Sequence, residues 1–205
     1  MSWDAEMGVR ILSFAPILAC NAIGFALALA KWVQVRRVIR SAGPLMRQVR
    51  TLIGAREYGR VLAVARADGS AASVVIEQAL AAKGRSRPRV AAQIEQAGQE
   101  VVRVLDYGLG GIALIATLSP LFGLLGTVVG IVIVFNRLAS AEGLVSPGQL
   151  AGGIGIALYT TIAGIIVGIL AMVSHRWLSA LCDQATAQLE TMGHELLELI
   201  SEDDT

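Results

Sequence analysis

Apolar and charged positions fall in blocks along this chain. Three windows hold no charged side chain: Ile11 to Ala30, Tyr107 to Asn136 and Gly143 to Ser174. At 1.5 Å per residue, a helix over the first window reaches about 30 Å, the thickness of a bilayer's hydrocarbon core. A helix over either of the others reaches about 45 Å and must tilt or protrude. The blocks predict three transmembrane helices. Outside them the pattern turns amphipathic. Breaks at Gly43-Pro44, Asp68-Gly69 and Lys83-Gly84 through Pro88 divide the segment after the first span into short helices joined by turns, not a second globular domain. From Pro88 a helical pattern runs unbroken through Val101 and Leu105 into the second window. Trp177, Leu181, Leu189, Leu196 and Leu199 continue an amphipathic pattern beyond the third.

Composition agrees with a membrane protein: 55% of residues are hydrophobic, 16% are charged, and the mean hydropathy is +0.64. The net charge of +1 conceals an asymmetry that sets orientation. Between Lys31 and Asp106 there are fourteen Lys and Arg against six acids, whereas Leu138 to Pro147 contains no basic residue. The positive-inside rule then places the long segment in the cytoplasm and predicts an N-out, C-in topology. The expected segments are a periplasmic N-terminus 1–10, spans at 11–30, 107–136 and 149–175, a cytoplasmic helical segment 31–106, a periplasmic loop 137–148 and a cytoplasmic helical tail 176–205. The predicted fold class is an all-α membrane protein with its second and third spans extended into long cytoplasmic helices. The first span is read as retained: Asp4 and Glu6 precede it and Lys31, Arg36, Arg37 and Arg40 follow it, the reverse of a signal peptide's charge order. The tail carries Arg176 against seven acids, which suggests docking on the basic segment. Orientation thus explains the basic charge, and no nucleic acid is implied.

The spans themselves are built from small residues. On a wheel at 100° per residue, Gly153, Ala157, Thr161, Gly164 and Gly168 fall within about 80° of one another. The second span repeats the device with Ala116, Pro120, Gly123, Thr127 and Gly130 on one face, and Gly126 beside it. Small residues let helix backbones approach closely, and a hydroxyl in such a stripe either bonds its own backbone or faces something polar. Pro120 frees backbone groups and predicts a kink before Thr127. None of the three windows contains Asp, Glu, Lys, Arg or His, so any proton relay through lipid needs a partner's carboxylate. Enzymatic chemistry has no support. Gly123 to Gly130 lacks the Lys-Ser/Thr ending of a phosphate loop, and His175 and His194 have no metal-ligand spacing. His175 and Arg176 mark the end of the third span, and Cys20 and Cys182 suggest neither a disulfide nor a metal site. No cofactor is expected.

The run Leu118-Ser-Pro-Leu-Phe-Gly-Leu-Leu-Gly-Thr-Val-Val-Gly-Ile-Val-Ile-Val-Phe135 resembles the signature of the MotA/TolQ/ExbB proton-channel family, in particular its TolQ/ExbB branch. Gly153-Ile-Gly-Ile-Ala-Leu-Tyr-Thr-Thr-Ile-Ala-Gly-Ile-Ile-Val-Gly168 resembles that branch's third-span motif. The resemblance implies a homo-oligomeric ring, of five subunits, in the bacterial inner membrane around a single-span partner of the ExbD/TolR type whose helix carries an aspartate. Such a motor couples the proton motive force to TonB-type uptake, Tol-type envelope maintenance or gliding-type motility, with a TonB-like or Tol-like envelope protein as a further partner. By motif, Thr127 and Thr161 fall on the family's two pore-facing threonine positions. Many members carry a glutamate where this chain has Ile156, so the partner's aspartate is left as the proton carrier. The alternative is a non-conducting structural anchor for an envelope complex.

Overall fold

In the computed structural model, the backbone is described for residues 3–140 and 146–203, and side chains from Ala15 onward except at 137, 140–145, 149 and 202–205. The middle of the expected periplasmic loop, 141–145, therefore lies outside the described residues. Six helices account for the described fold: α1 (Trp3–Gly54), α2 (Tyr58–Asp68), α3 (Ala71–Ala81), α4 (Arg87–Asp106), α5 (Leu109–Ser140) and α6 (Pro147–Asp203). Among the described residues, three helices are long and apolar enough to cross a membrane. The chain is a multi-pass membrane protein. It divides into two compact units, one of Met1–Leu29 with Leu109–Arg176 and one of Ala30–Gly108 with Trp177–Thr205.

The second unit corrects the expectation that residues 31–106 would not form a globular domain. Its core is apolar and regularly spaced. Val35, Val38, Ala42, Leu45 and Val49 are buried along α1, Val90, Ile94, Ala97, Val101 and Leu105 along α4, and Leu178, Cys182, Ala185, Leu189, Met192 and Leu196 along α6. Steps of three and four keep one side of each helix turned to a common core, as in bundle packing. Short α2 and α3 add Val61, Ala65, Val75, Ile76 and Ala79. Gly69, at φ +57, adopts the left-handed conformation that closes α2.

Two expected breaks behave differently from the sequence reading. Gly43-Pro44 does not interrupt α1, although Pro44 removes the donor that would satisfy the Arg40 carbonyl. Both residues are exposed while Ala42, Leu45 and Met46 beside them are buried, so the defect lies on the solvent side and the packed side holds the helix. Conversely, the helix expected to run unbroken from Pro88 into the second span stops at Asp106, with Gly108 at φ +95. The last carbonyls of α4 then need other donors. Lys31, only 6% exposed, donates Nζ to the Val104 carbonyl at 3.0 Å and to Gln34 Oε1 at 3.2 Å. The Cys182 thiol donates to the Leu105 carbonyl at 3.5 Å.

The first unit is apolar outside as well as inside. Ile115, Ala116 and Ala171 form a buried cluster against which Cys20 and Leu27 pack. Gly24 and Gly111 bring α1 and α5 together: a Cβ at either would already touch Ile115 or Leu27 at 3.4 Å. Outward-facing positions include Leu18, Phe25, Leu124, Val128, Ile166 and Met172, all more than half exposed. Large exposed apolar surface of this kind is stable in lipid or against other apolar chains.

Candidate functional site at the contact of the second and third spans

Helices α5 and α6 meet along an antiparallel seam in which nearly every close approach involves a residue without a bulky side chain. A Cβ on Gly153 would lie 2.5 Å from Val134 Cγ2, and one on Gly130 2.7 Å from the Ala157 Cβ. Further along, a Cβ on Gly126 would lie 2.7 Å from Thr160 Oγ1, and one on Gly123 2.9 Å from the Thr160 carbonyl oxygen. On Gly164 it would lie 2.5 Å from the Ser119 carbonyl oxygen and 2.9 Å from the Gly123 Cα, and on Gly168 2.7 Å from Pro120 Cγ. The small residues of the two stripes therefore lie against each other within one chain. Pro120 sits inside α5 and, lacking an N–H, leaves the Ala116 carbonyl without its helical donor. Gly168 lets α6 approach that same carbonyl, which would be 3.1 Å from a Cβ there.

At the middle of this seam three threonine hydroxyls converge on two backbone carbonyls. Thr161 Oγ1 donates to the Gly123 carbonyl at 3.0 Å, and Thr160 Oγ1 reaches the Ala157 carbonyl at 2.6 Å and the Gly123 carbonyl at 3.2 Å. Thr127 Oγ1 lies 3.2 Å from both of these carbonyl oxygens. Thr127 and Thr161 also share a hydrogen bond in which either oxygen can donate. Each hydroxyl has a single proton, so only one of its donor contacts can be made at a time. The network can thus reverse the sense of the Thr127–Thr161 bond without moving a heavy atom. Ser119, fully buried nearby, returns its hydroxyl to the Ile115 carbonyl at 2.7 Å.

Thr160 departs from expectation. Lying 100° from Thr161, it is expected to face a neighbouring subunit or lipid, but it is only 1% exposed and faces Gly126. The buried side of α6 runs Ala157, Thr160, Gly164, Val167 and Ala171, and that of α5 runs Ile112, Ala116, Ser119, Gly123 and Gly126. Thr127 and Thr161 flank these faces and remain half-buried. On a wheel of α6 the small stripe centres on Ala157, with Thr161 at one edge and Thr160 20° beyond Gly153 at the other. Neither wheel shows which edge meets the facing helix; the contacts of Thr160 with Gly126 and of Ala157 with Gly130 across the seam do. Ile156 is also half-buried, and among the described residues no His, Cys, Asp or Glu cluster could hold a metal ion.

The class defined by this arrangement is a polytopic helical protein whose second and third spans close on a hydroxyl network free of ionisable groups. The chain belongs to the MotA/TolQ/ExbB proton channel family, whose profile matches residues 67–191, and its similarities point to the ExbB branch. It is 40% identical over 92 residues to biopolymer transport protein exbB1 of Vibrio cholerae, covering 45% of this chain and 40% of that protein. A putative biopolymer transport protein ExbB homolog of Methanothermobacter thermautotrophicus is 30% identical over 181 residues, 85% of this chain and 62% of that one. Biopolymer transport protein ExbB of Neisseria gonorrhoeae is 33% identical over 114 residues, 55% and 51% of the two chains. The chain thus spans 40% to 62% of the length of these curated relatives.

Proposed function

We propose that this chain is the proton-channel subunit of a bacterial inner-membrane motor, working with an ExbD/TolR-like single-span partner to couple the proton motive force to work in the envelope. The observation that carries the reading is the half-buried Thr127–Thr161 pair at the edge of the α5–α6 seam, in spans without an ionisable side chain. A carboxylate needs hydrogen-bond donors when charged, and an isolated one in hydrocarbon is costly. Here the partner's aspartate supplies the titrating group and the two hydroxyls supply the donors. When the aspartate is charged, Thr127 and Thr161 turn their protons toward it; when it is protonated, they return them to Gly123, Ala157 and each other. A ring of five copies, N-out and C-in, would present these hydroxyls to the partner helix. The relatives' biopolymer-transport names suggest TonB-type uptake as the work performed, with Tol-type envelope maintenance and gliding-type motility as the other outputs of this family.

The test is proton flux in vesicles holding the chain and its partner. Replacing the partner aspartate by asparagine, or Thr127 and Thr161 together by Val, should abolish flux while the complex remains assembled. Undiminished flux in the double variant would remove these hydroxyls from the pathway. A specific observation favours a second reading, a non-conducting anchor: the hydroxyls already have acceptors within the chain, so they can serve as a structural clasp. An assembled wild-type complex with no flux would select it.

A further inference from the structure

We propose that the second unit holds a binding site for one anionic phospholipid at the membrane surface. A groove with a cavity of about 520 Å³ lies between α1, the start of α3 and the last turns of α4, a size in the range of small-molecule sites. Its lining includes Ala30, the last residue of the first uncharged window, so α1 carries it to the point where the hydrocarbon ends. The position rests on the three-span reading and not on proton transfer.

Three features of the lining call for an amphiphile. Val33, Val74 and Val104, from three different helices, are 45%, 44% and 51% exposed around the groove, whereas the other valines of this unit are buried or half-buried. Arg37 also lines it and has no ion-pair partner among the described residues. The one carboxylate in the lining, Glu100, pairs with Arg103 on its own helix at 3.7 Å. Finally, Ser70, a lining residue and the N-cap of α3, is 6% exposed, makes no capping bond, and leaves its hydroxyl buried without a partner. A buried hydroxyl without a partner is unusual in a folded protein. An acyl chain covers the valines, and a headgroup phosphate meets Arg37 and, with a small movement of the α3 cap, the Ser70 hydroxyl. Arg36 and Arg40, exposed on adjacent turns of α1, add the positive field that draws anionic lipid to a juxtamembrane segment.

The test uses the full chain, purified in detergent, stripped of lipid and offered phosphatidylglycerol, phosphatidylethanolamine or inorganic phosphate, with bound molecules counted by native mass spectrometry. One phosphatidylglycerol per chain is expected, preferred over phosphatidylethanolamine by about fivefold, the effect of one basic side chain near an anionic surface. Arg37→Gln should erase that preference, whereas Arg40→Gln, outside the groove, should keep most of it. Val74→Trp should fill the cavity and remove both lipids; Val33→Trp does the same from another helix if the first variant fails to fold. Equal retention of both lipids by the wild type, or unchanged retention in Arg37→Gln and the folded Trp variant, would overturn the site. So would displacement of the lipid by inorganic phosphate at equal concentration, which marks a free-anion site. A Trp variant that changes the oligomer's mass and leaves the lipid count intact would reassign the groove to contact between copies of this chain.

Discussion

The two units of this protein solve the same packing problem with opposite materials. In the unit of Ala30–Gly108 and Trp177–Thr205, large apolar side chains such as Val49, Leu178, Leu189 and Leu196 are hidden and charges cover the outside. In the other unit many large apolar side chains, among them Phe25, Leu124, Val128 and Met172, face outward, while glycine, alanine, serine and threonine occupy the α5–α6 seam. Water accounts for the difference. Where the surroundings are water, hiding Leu and Val is itself the driving force. Where the surroundings are lipid, leucine gains little by turning inward, and close backbone approach with well-placed hydrogen bonds holds the helices. A substitution that adds volume should therefore injure the first unit, and one that removes volume should injure the second.

The largest effect is expected from Gly164→Leu. Its first side-chain carbon would fall 2.5 Å from the Ser119 carbonyl oxygen and 2.9 Å from the Gly123 Cα, which are backbone atoms that cannot rotate away. The penalty should exceed the ~1–3 kcal/mol usual for overpacking, and little folded protein should be recovered. Gly155→Leu, where a Cβ would meet nothing within 4 Å, is the control on the same helix. If both variants gave the same yield and thermal melt, the seam would not be the close contact described. Gly164→Leu should act on the fold of each chain and not selectively on assembly, because the small stripes are already occupied within one copy.

Leu196→Ala should come next. Leu196 is fully buried, and truncating it leaves a cavity worth ~2–5 kcal/mol, read as a lower melting temperature. Deleting residues 183–205 removes Leu189, Met192 and Ile200 as well, and should cost more than any single change in the tail. Leu124→Ala, at a position 55% exposed in the other unit, should barely move the melt. Equal losses from the two truncations would erase the contrast between the units.

The threonines sharpen the comparison because they separate stability from activity. Thr160→Val keeps the shape but removes a hydroxyl from a residue 1% exposed, and should lower stability by ~1–3 kcal/mol. Thr161→Val changes a half-buried residue at the edge of the seam and should leave the fold nearly intact while abolishing energy transduction; Thr127→Val should do so less severely. A melt combined with a flux assay distinguishes them. If Thr160→Val abolished flux and Thr161→Val instead lowered the melt, the assignment of clasp and pathway would be reversed; if both were harmless, neither role would stand.

These contrasts also mark what the sequence could reveal. Long uncharged windows are legible because crossing hydrocarbon imposes a length and excludes charge, and glycine stripes are legible because their period matches the helix. The interruption at Tyr107-Gly108 was hidden, since Gly108 sits in a sequence whose apolar pattern continues across it. What sustains the interruption comes from far along the chain, from Lys31 and Cys182, and no local signal announces such donors. Thr160 was hidden for a related reason: its burial depends on Gly126, thirty-four residues earlier, and the wheel of one helix contains no information about the other.

The smallest expected effect concerns the acidic tail, where charge alone suggested docking on the basic segment. Arg50 and Glu195 do form an ion pair, and Arg50 remains 63% exposed. In water such a pair contributes ~0.2–1 kcal/mol at most and is screened by salt. The tail's hold lies elsewhere, in Leu189, Met192, Leu196 and Ile200, and in Gly193, where a Cβ would meet Ile94 at 2.9 Å. Glu195→Gln should therefore shift the melt only slightly at low ionic strength and not at all in high salt, whereas Gly193→Val, against Ile94, should destabilise at every salt concentration. A loss from Glu195→Gln as large as that from Leu196→Ala, or one that persisted in high salt, would mean that charge and not apolar packing holds the tail.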